Sequence, residues 1–137
     1  MRQSILVVDD NCDLRNLIGE LLSEEFDVST AESLGTAQAL IAASGGFDLV
    51  LLDVELPDGN GCDYCMDLRR AGIGIPIILM SGYGGANDIS HGLQSGANDY
   101  LTKPFFGREL IQVIHSIVPS SHMRLAAQAV AGNFATI

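Results

Sequence analysis

The stretch Leu49-Val50-Leu51-Leu52-Asp53-Val54-Glu55-Leu56-Pro57 decides how this chain folds. Its first residues are apolar without alternation, the pattern of a short strand buried on both faces. The run ends on the carboxylate of Asp53, and Pro57 then opens the turn-forming series Asp58-Gly59-Asn60-Gly61. A strand covered on both faces belongs to a parallel α/β sheet. In such sheets, sites gather at the carboxyl ends of the strands.

Working outward, Ile5-Leu6-Val7-Val8 repeats the pattern and ends on Asp9 and Asp10. Residues 13–24 then show helical spacing, with Leu14, Leu17, Ile18, Leu21 and Leu22 in one apolar stripe and Asn11 or Asp13 as the cap. Phe26-Asp27-Val28-Ser29-Thr30 alternates, as a short edge strand does. A helix over 33–43 turns Leu34, Ala37, Leu40 and Ile41 inward and stops at Gly45-Gly46.

Beyond the central strand at 48–52, a helix over 62–71 buries Tyr64, Cys65 and Leu68. Pro76-Ile77-Ile78-Leu79-Met80 reads as a strand ending on Ser81, since proline is tolerated at a strand's first residue. A glycine-rich helix spans 82–96, with Ile89 and Leu93 as its apolar points. A short strand at 98–101 leads into Thr102-Lys103-Pro104, and a last helix over 107–118 turns Leu110, Ile111, Ile114 and Ile117 inward.

Strand and helix thus alternate five times with short connections, which predicts parallel strands joined by right-handed crossovers. The expected fold is α/β, a doubly wound (βα)5 three-layer sandwich with a five-stranded parallel sheet. The strand order 2-1-3-4-5 is taken over from flavodoxin-like sheets; it places the long apolar strands inside and brings Asp9, Asp10 and Asp53 to one switch point.

With 137 residues, 47% of them hydrophobic and 18% charged, the chain suits one domain with one core. Its 17 acids against 7 Lys plus Arg give a net charge of -10, and no basic patch stands out. Direct binding to nucleic-acid phosphates is therefore not expected. Neither a secretory leader nor a membrane-length apolar run is legible, and three cysteines do not suggest a disulfide framework, which together point to the cytoplasm. Cys62 and Cys65 share a helix without a second pair or a neighbouring His, so packing is their expected role, Cys65 in the core and Cys62 partly exposed.

Three converging carboxylates repel each other unless a cation joins them. Oxygen-only donors favour Mg²⁺, with Mn²⁺ as a substitute, and Mg²⁺ commonly meets phosphate oxygens. Ser81 supplies a hydroxyl at a neighbouring strand end, and Lys103 a compact positive charge. The Lys103–Pro104 peptide is expected to be cis, turning the lysine inward.

Asp9-Asp10, Asp53 with Pro57 and Gly61, Ser81, Gly96-Ala97 before Asp99-Tyr100, and Lys103-Pro104-Phe105 form an ordered set. That set resembles the receiver domain of two-component response regulators, over residues 4–118. The resemblance implies a receiver domain over 1–119, with 120–137 as a C-terminal tail or the start of a linker. It implies that Asp53 is the phosphoacceptor, a carboxylate nucleophile forming an aspartyl phosphate. Asp10, Asp9, Asp53 and the backbone carbonyl of Glu55 would hold Mg²⁺. Ser81 and Lys103 would hold phosphoryl oxygens, while Pro57, Gly61 and Pro104 shape the loops. Ser81 and Tyr100 would be the switch pair, Tyr100 passing from exposed to buried on activation.

The implied phosphodonor is phosphohistidine on a sensor histidine kinase or a histidine phosphotransfer protein, with slow autodephosphorylation rather than enzymatic turnover. The output would be a downstream protein or a missing output domain, reached through the 82–118 face. Residues 82–96 carry no Lys or Arg, so a charged dimer across that face is not expected, and the chain should be a monomer or a weak dimer. Tyr83 and Glu55 fall where the family tunes phosphoryl lifetime. Two other readings stay open: a pseudo-receiver that binds partners without phosphate, and a small Mg²⁺-dependent phosphohydrolase using Glu55 as its second acid.

Overall fold

The computed structural model describes residues 2–118. The expected tail or linker at 120–137, and the boundary at 119, lie outside the described residues.

The elements run β1 (Ser4–Val8), α1 (Cys12–Leu22), β2 (Asp27–Ala31), α2 (Leu34–Ser44), β3 (Leu49–Asp53), β4 (Glu55–Leu56), β5 (Gly59–Asn60), α3 (Gly61–Arg70), β6 (Ile77–Ser81), α4 (Ala86–Gln94), β7 (Asp99–Thr102) and α5 (Gly107–Ile117). Five strands form one parallel sheet of order β2-β1-β3-β6-β7. Counted over these five, this is the expected 2-1-3-4-5. The half-exposed β2 lies at an edge, though at five residues it is as long as β1 and β3, whereas β3 and β6 are buried along their whole length.

Alternation along each strand sorts side chains into two cores. Leu6, Val8, Val50, Leu52, Ile77 and Leu79 face α2 and α3. Ile5, Val7, Leu49, Leu51, Ile78 and Met80 face α1 and α5. Such two-sided burial explains why the inner strands read as unbroken apolar runs.

Asn11 caps α1, its side chain accepting the Leu14 N–H at 3.0 Å. Ile18 and Leu22 make the buried contact of α1, but Leu17 is 63% exposed and Leu21 41%. The expected stripe is wider than the contact, because one sheet face covers only the i, i+4 pair and its neighbour Leu14. Cys62 is buried together with Cys65, not partly exposed. The glycine-rich helix is shorter than its apolar pattern: residues 82–85 precede it, Leu93 is exposed, and its buried point is Gly92.

The sequence reading missed the β4–β5 hairpin, in which Glu55 pairs with Asn60 and Leu56 with Gly59. Pro57 and Asp58 form its tip. Asp58 accepts the backbone N–H groups of Leu34 and Gly35, each at 2.9 Å, and so ties the hairpin to the start of α2. Asn60 caps α3 by accepting from Cys62 N–H at 2.7 Å. Gly61 follows with no room for a side chain, since a Cβ there would overlap the Asp53 carbonyl oxygen.

Candidate functional site

Asp9 stands one residue beyond β1, and its own N–H continues the pairing by donating to Ala31 O at 3.1 Å. Asp53 is the last residue of β3. Because β1 and β3 are neighbours in register, both carboxylates arrive at the same sheet end. Both are buried, while Asp10 is exposed at the rim. One carboxylate oxygen from each of Asp9, Asp10 and Asp53 lies within 4.8 Å of the others.

Lys103 crosses from the end of β7 to meet them. Its Nζ donates to Asp9 Oδ2 at 2.7 Å and to Asp53 Oδ2 at 3.2 Å. The Lys103–Pro104 peptide is cis, as expected. Backbone donors hold the other carboxylate oxygens: Asn11 N–H reaches Asp9 Oδ1 at 2.8 Å, and Glu55 N–H reaches Asp53 Oδ1 at 3.2 Å. Arg15 Nη1 donates to the Asp9 carbonyl at 2.8 Å, a support the sequence reading did not name.

Burial pushes the Asp53 carboxyl up to about 6, with the Asp9 charge adding to the rise and Lys103 working against it. For Lys103, burial acts to lower the pKa. The hydrogen bond to Asp9 and the charges of Asp53 and Asp9 outweigh it and leave the ammonium above its ordinary value. The group therefore stays cationic and aimed at two acids. One lysine cannot neutralise three carboxylates, and the donors are all oxygens around an open edge. That donor set fits a hard divalent ion such as Mg²⁺, which keeps part of its water shell.

Ser81 ends β6 and is fully buried. Its Oγ donates to Glu55 Oε2 at 2.8 Å and accepts the Tyr83 N–H at 3.0 Å. Tyr100 is half-buried, with its hydroxyl donating to the Tyr83 carbonyl. The bond from Ser81 to Glu55 was not read from the sequence, since spacing carries no signal for it.

The response regulator receiver domain model matches residues 5–115. The chain belongs to the response regulator receiver family. Transcriptional regulatory protein CiaR of Streptococcus pneumoniae is 38% identical over 117 residues, covering 85% of this chain and 52% of that protein. The cell cycle response regulator CtrA of Brucella ovis is also 38% identical over 117 residues, covering 85% of this chain and 50% of that protein. The chain spans about half the length of these curated relatives.

Among solved structures, the BeF3-activated receiver domain of DrrB, from Thermotoga maritima, superposes with a TM-score of 0.76 at 27% identity, covering 86% of this chain and 98% of that one. This receiver is phosphorylatable through an Asp–Mg²⁺ site, and its chemistry is phosphorylation and dephosphorylation of itself, not substrate turnover. Among the described residues, no helix is long and apolar enough to cross a membrane.

Proposed function

We propose that Asp53 accepts a phosphoryl group from phosphohistidine on a sensor histidine kinase or a histidine phosphotransfer protein, and that the modified domain switches protein–protein contacts. The observation that carries this reading is the single ammonium of Lys103 shared between buried Asp9 and Asp53.

An Asp53 carboxylate oxygen attacks phosphorus in line with the departing imidazole. The new O–P bond forms as the P–N bond breaks; the donor's imidazole, protonated on its other ring nitrogen, keeps the P–N electron pair and leaves neutral. Lys103, already 3.2 Å from Asp53, is placed to bind a phosphoryl oxygen without reorganising. Asp9, Asp10, Asp53 and the Glu55 carbonyl are the groups we assign to Mg²⁺. When bound, the ion offsets negative charge on the transferring phosphoryl group. Gly61 and the Asp58 tie fix the hairpin that carries the Glu55 carbonyl. Later attack by water on phosphorus returns free Asp53 and inorganic phosphate.

Glu55 bears on the phosphohydrolase alternative. Such an enzyme needs its second acid free for proton transfer, and here that carboxylate is bonded to Ser81. We assign the output to the 82–118 face, toward a downstream protein or an output domain beyond this chain. The cytoplasm suits the three free thiols. Transfer from a phosphorylated histidine phosphotransfer protein, followed by intact mass, tests the reading. One phosphoryl group on the wild type and none on Asp53→Asn is the expected result; equal labelling of both would refute it.

A further inference from the structure

We propose that Glu55 is a built-in acceptor for Ser81, which holds Tyr100 inward before any phosphoryl group arrives. This inference rests on the reading of Asp53 as phosphoacceptor and concerns how that event is transmitted.

Three hydrogen bonds run in series. Tyr100 Oη–H donates to the Tyr83 carbonyl. Tyr83 N–H donates to Ser81 Oγ at 3.0 Å, and Ser81 Oγ–H donates to Glu55 Oε2 at 2.8 Å. A serine hydroxyl has one proton to give. While Glu55 takes it, none is left for an oxygen on Asp53. A phosphoryl group must therefore win Ser81 from a carboxylate that is itself anionic and oxygen-bearing.

The far end of the series has a prepared seat. A Cβ at position 92 would lie 2.7 Å from Tyr100 Cδ2 and 2.9 Å from Cε2, so the ring occupies space that only glycine leaves open. Gly92 is thus more than a weak point in α4. Beside the ring is a cavity of about 230 Å³, lined among others by Glu55, Ser81, Tyr83, His91 and Tyr100. Glu55 is exposed and reaches the buried hydroxyl from the surface, so truncating it opens no hole in the core.

Phosphorylation of this receiver then exchanges the acceptor of Ser81 more than it moves Tyr100. A ligand shifts a two-state element only by its differential affinity, and here much of that bias is already supplied by Glu55.

The test is ¹⁹F NMR of the full chain carrying 3-fluorotyrosine, with Tyr64, Tyr83 and Tyr100 assigned by Tyr→Phe variants. Spectra are taken without phosphodonor and with Mg²⁺ and beryllofluoride. The wild-type Tyr100 resonance should barely move between the two. In Glu55→Ala the unliganded resonance should shift, with the inward-to-outward ratio falling about tenfold, the size expected for losing a charge-assisted hydrogen bond. Beryllofluoride should restore it. Glu55→Gln, which keeps an acceptor oxygen, should stay near the wild type. Gly92→Ala should displace the ring in both states.

An unmoved Tyr100 resonance in unliganded Glu55→Ala overturns the inference, as does a large wild-type shift on beryllofluoride. Mass measurement on the same samples after acetyl phosphate separates the two readings. Phosphoryl uptake with an unresponsive Glu55→Ala sinks the relay alone. A responsive Glu55→Ala without uptake sinks the Asp53 assignment and leaves the Glu55–Tyr100 coupling standing.

Discussion

The Lys103 ammonium lies 2.7 Å from the Asp9 carboxylate, although 94 residues separate them in the chain. It is the short arm of a shared contact whose longer arm reaches Asp53 at 3.2 Å. Asp9 is wholly buried and Lys103 only slightly exposed, so screening by water is weak. Replacing Lys103 with Met removes the countercharge and leaves two buried acids facing each other. Without metal, urea unfolding at neutral pH should show a loss of about 2–4 kcal/mol. Calorimetric titration should at the same time show tighter Mg²⁺ binding, because the ion no longer competes with an ammonium.

Asp53 sets an opposite effect. Its carboxyl is raised from 3.8 to about 6, chiefly by burial. Between those values the folded protein holds a proton that the unfolded chain has released, so stability falls as pH rises through the window. Asp53→Asn escapes this loss. In EDTA at pH 7 the variant should unfold later than the wild type, by on the order of 1–3 kcal/mol. Denaturation curves at pH 4 should bring the two together, and saturating Mg²⁺ should narrow the gap at pH 7 by stabilising the wild type.

Asp58 tests the hairpin tie. Its carboxylate is held below the usual range by the Leu34 and Gly35 N–H groups it accepts. A depressed folded pKa means stability present above the unfolded value and lost as pH falls through the folded one. Asp58→Ala should therefore lower the thermal midpoint at pH 7. The difference from wild type should shrink as the pH is taken below 3.8. If the hairpin positions the Glu55 carbonyl, Mg²⁺ affinity at pH 7 should weaken in this variant, and Asp58→Glu should recover part of it.

Gly61 is required by space, not by an unusual backbone angle. A methyl group there would overlap the Asp53 carbonyl oxygen, which is backbone and cannot swing aside. Gly61→Ala should cost about 2 kcal/mol in denaturant unfolding and shift the amide resonances of Asp53 and Glu55.

How much of this was legible beforehand follows from range. The inner strands declared themselves because two-sided burial demands unbroken apolar runs, as in Leu49–Leu52 and Ile77–Met80. Strand ends then located Asp9, Asp53, Ser81 and Lys103 without reference to any side-chain contact. Exposure of Leu17 and Leu21 was not legible, since an apolar stripe does not state how wide its neighbour is. Nor was the Asp58 tie to α2, a contact between an exposed loop and backbone 23–24 residues away. The need for glycine at Gly92 was not legible either, because the ring that fills the space of its missing side chain comes from β7.

The central claim is that Asp53 takes a phosphoryl group with Mg²⁺ at the Asp9, Asp10, Lys103 site. The most direct measurement is intact mass after incubation with acetyl phosphate, with and without Mg²⁺, followed by peptide mapping. The account predicts one added phosphoryl group, dependent on Mg²⁺, mapped to Asp53 and absent from Asp53→Asn. No added mass under any condition, or the group found on another residue, would contradict it.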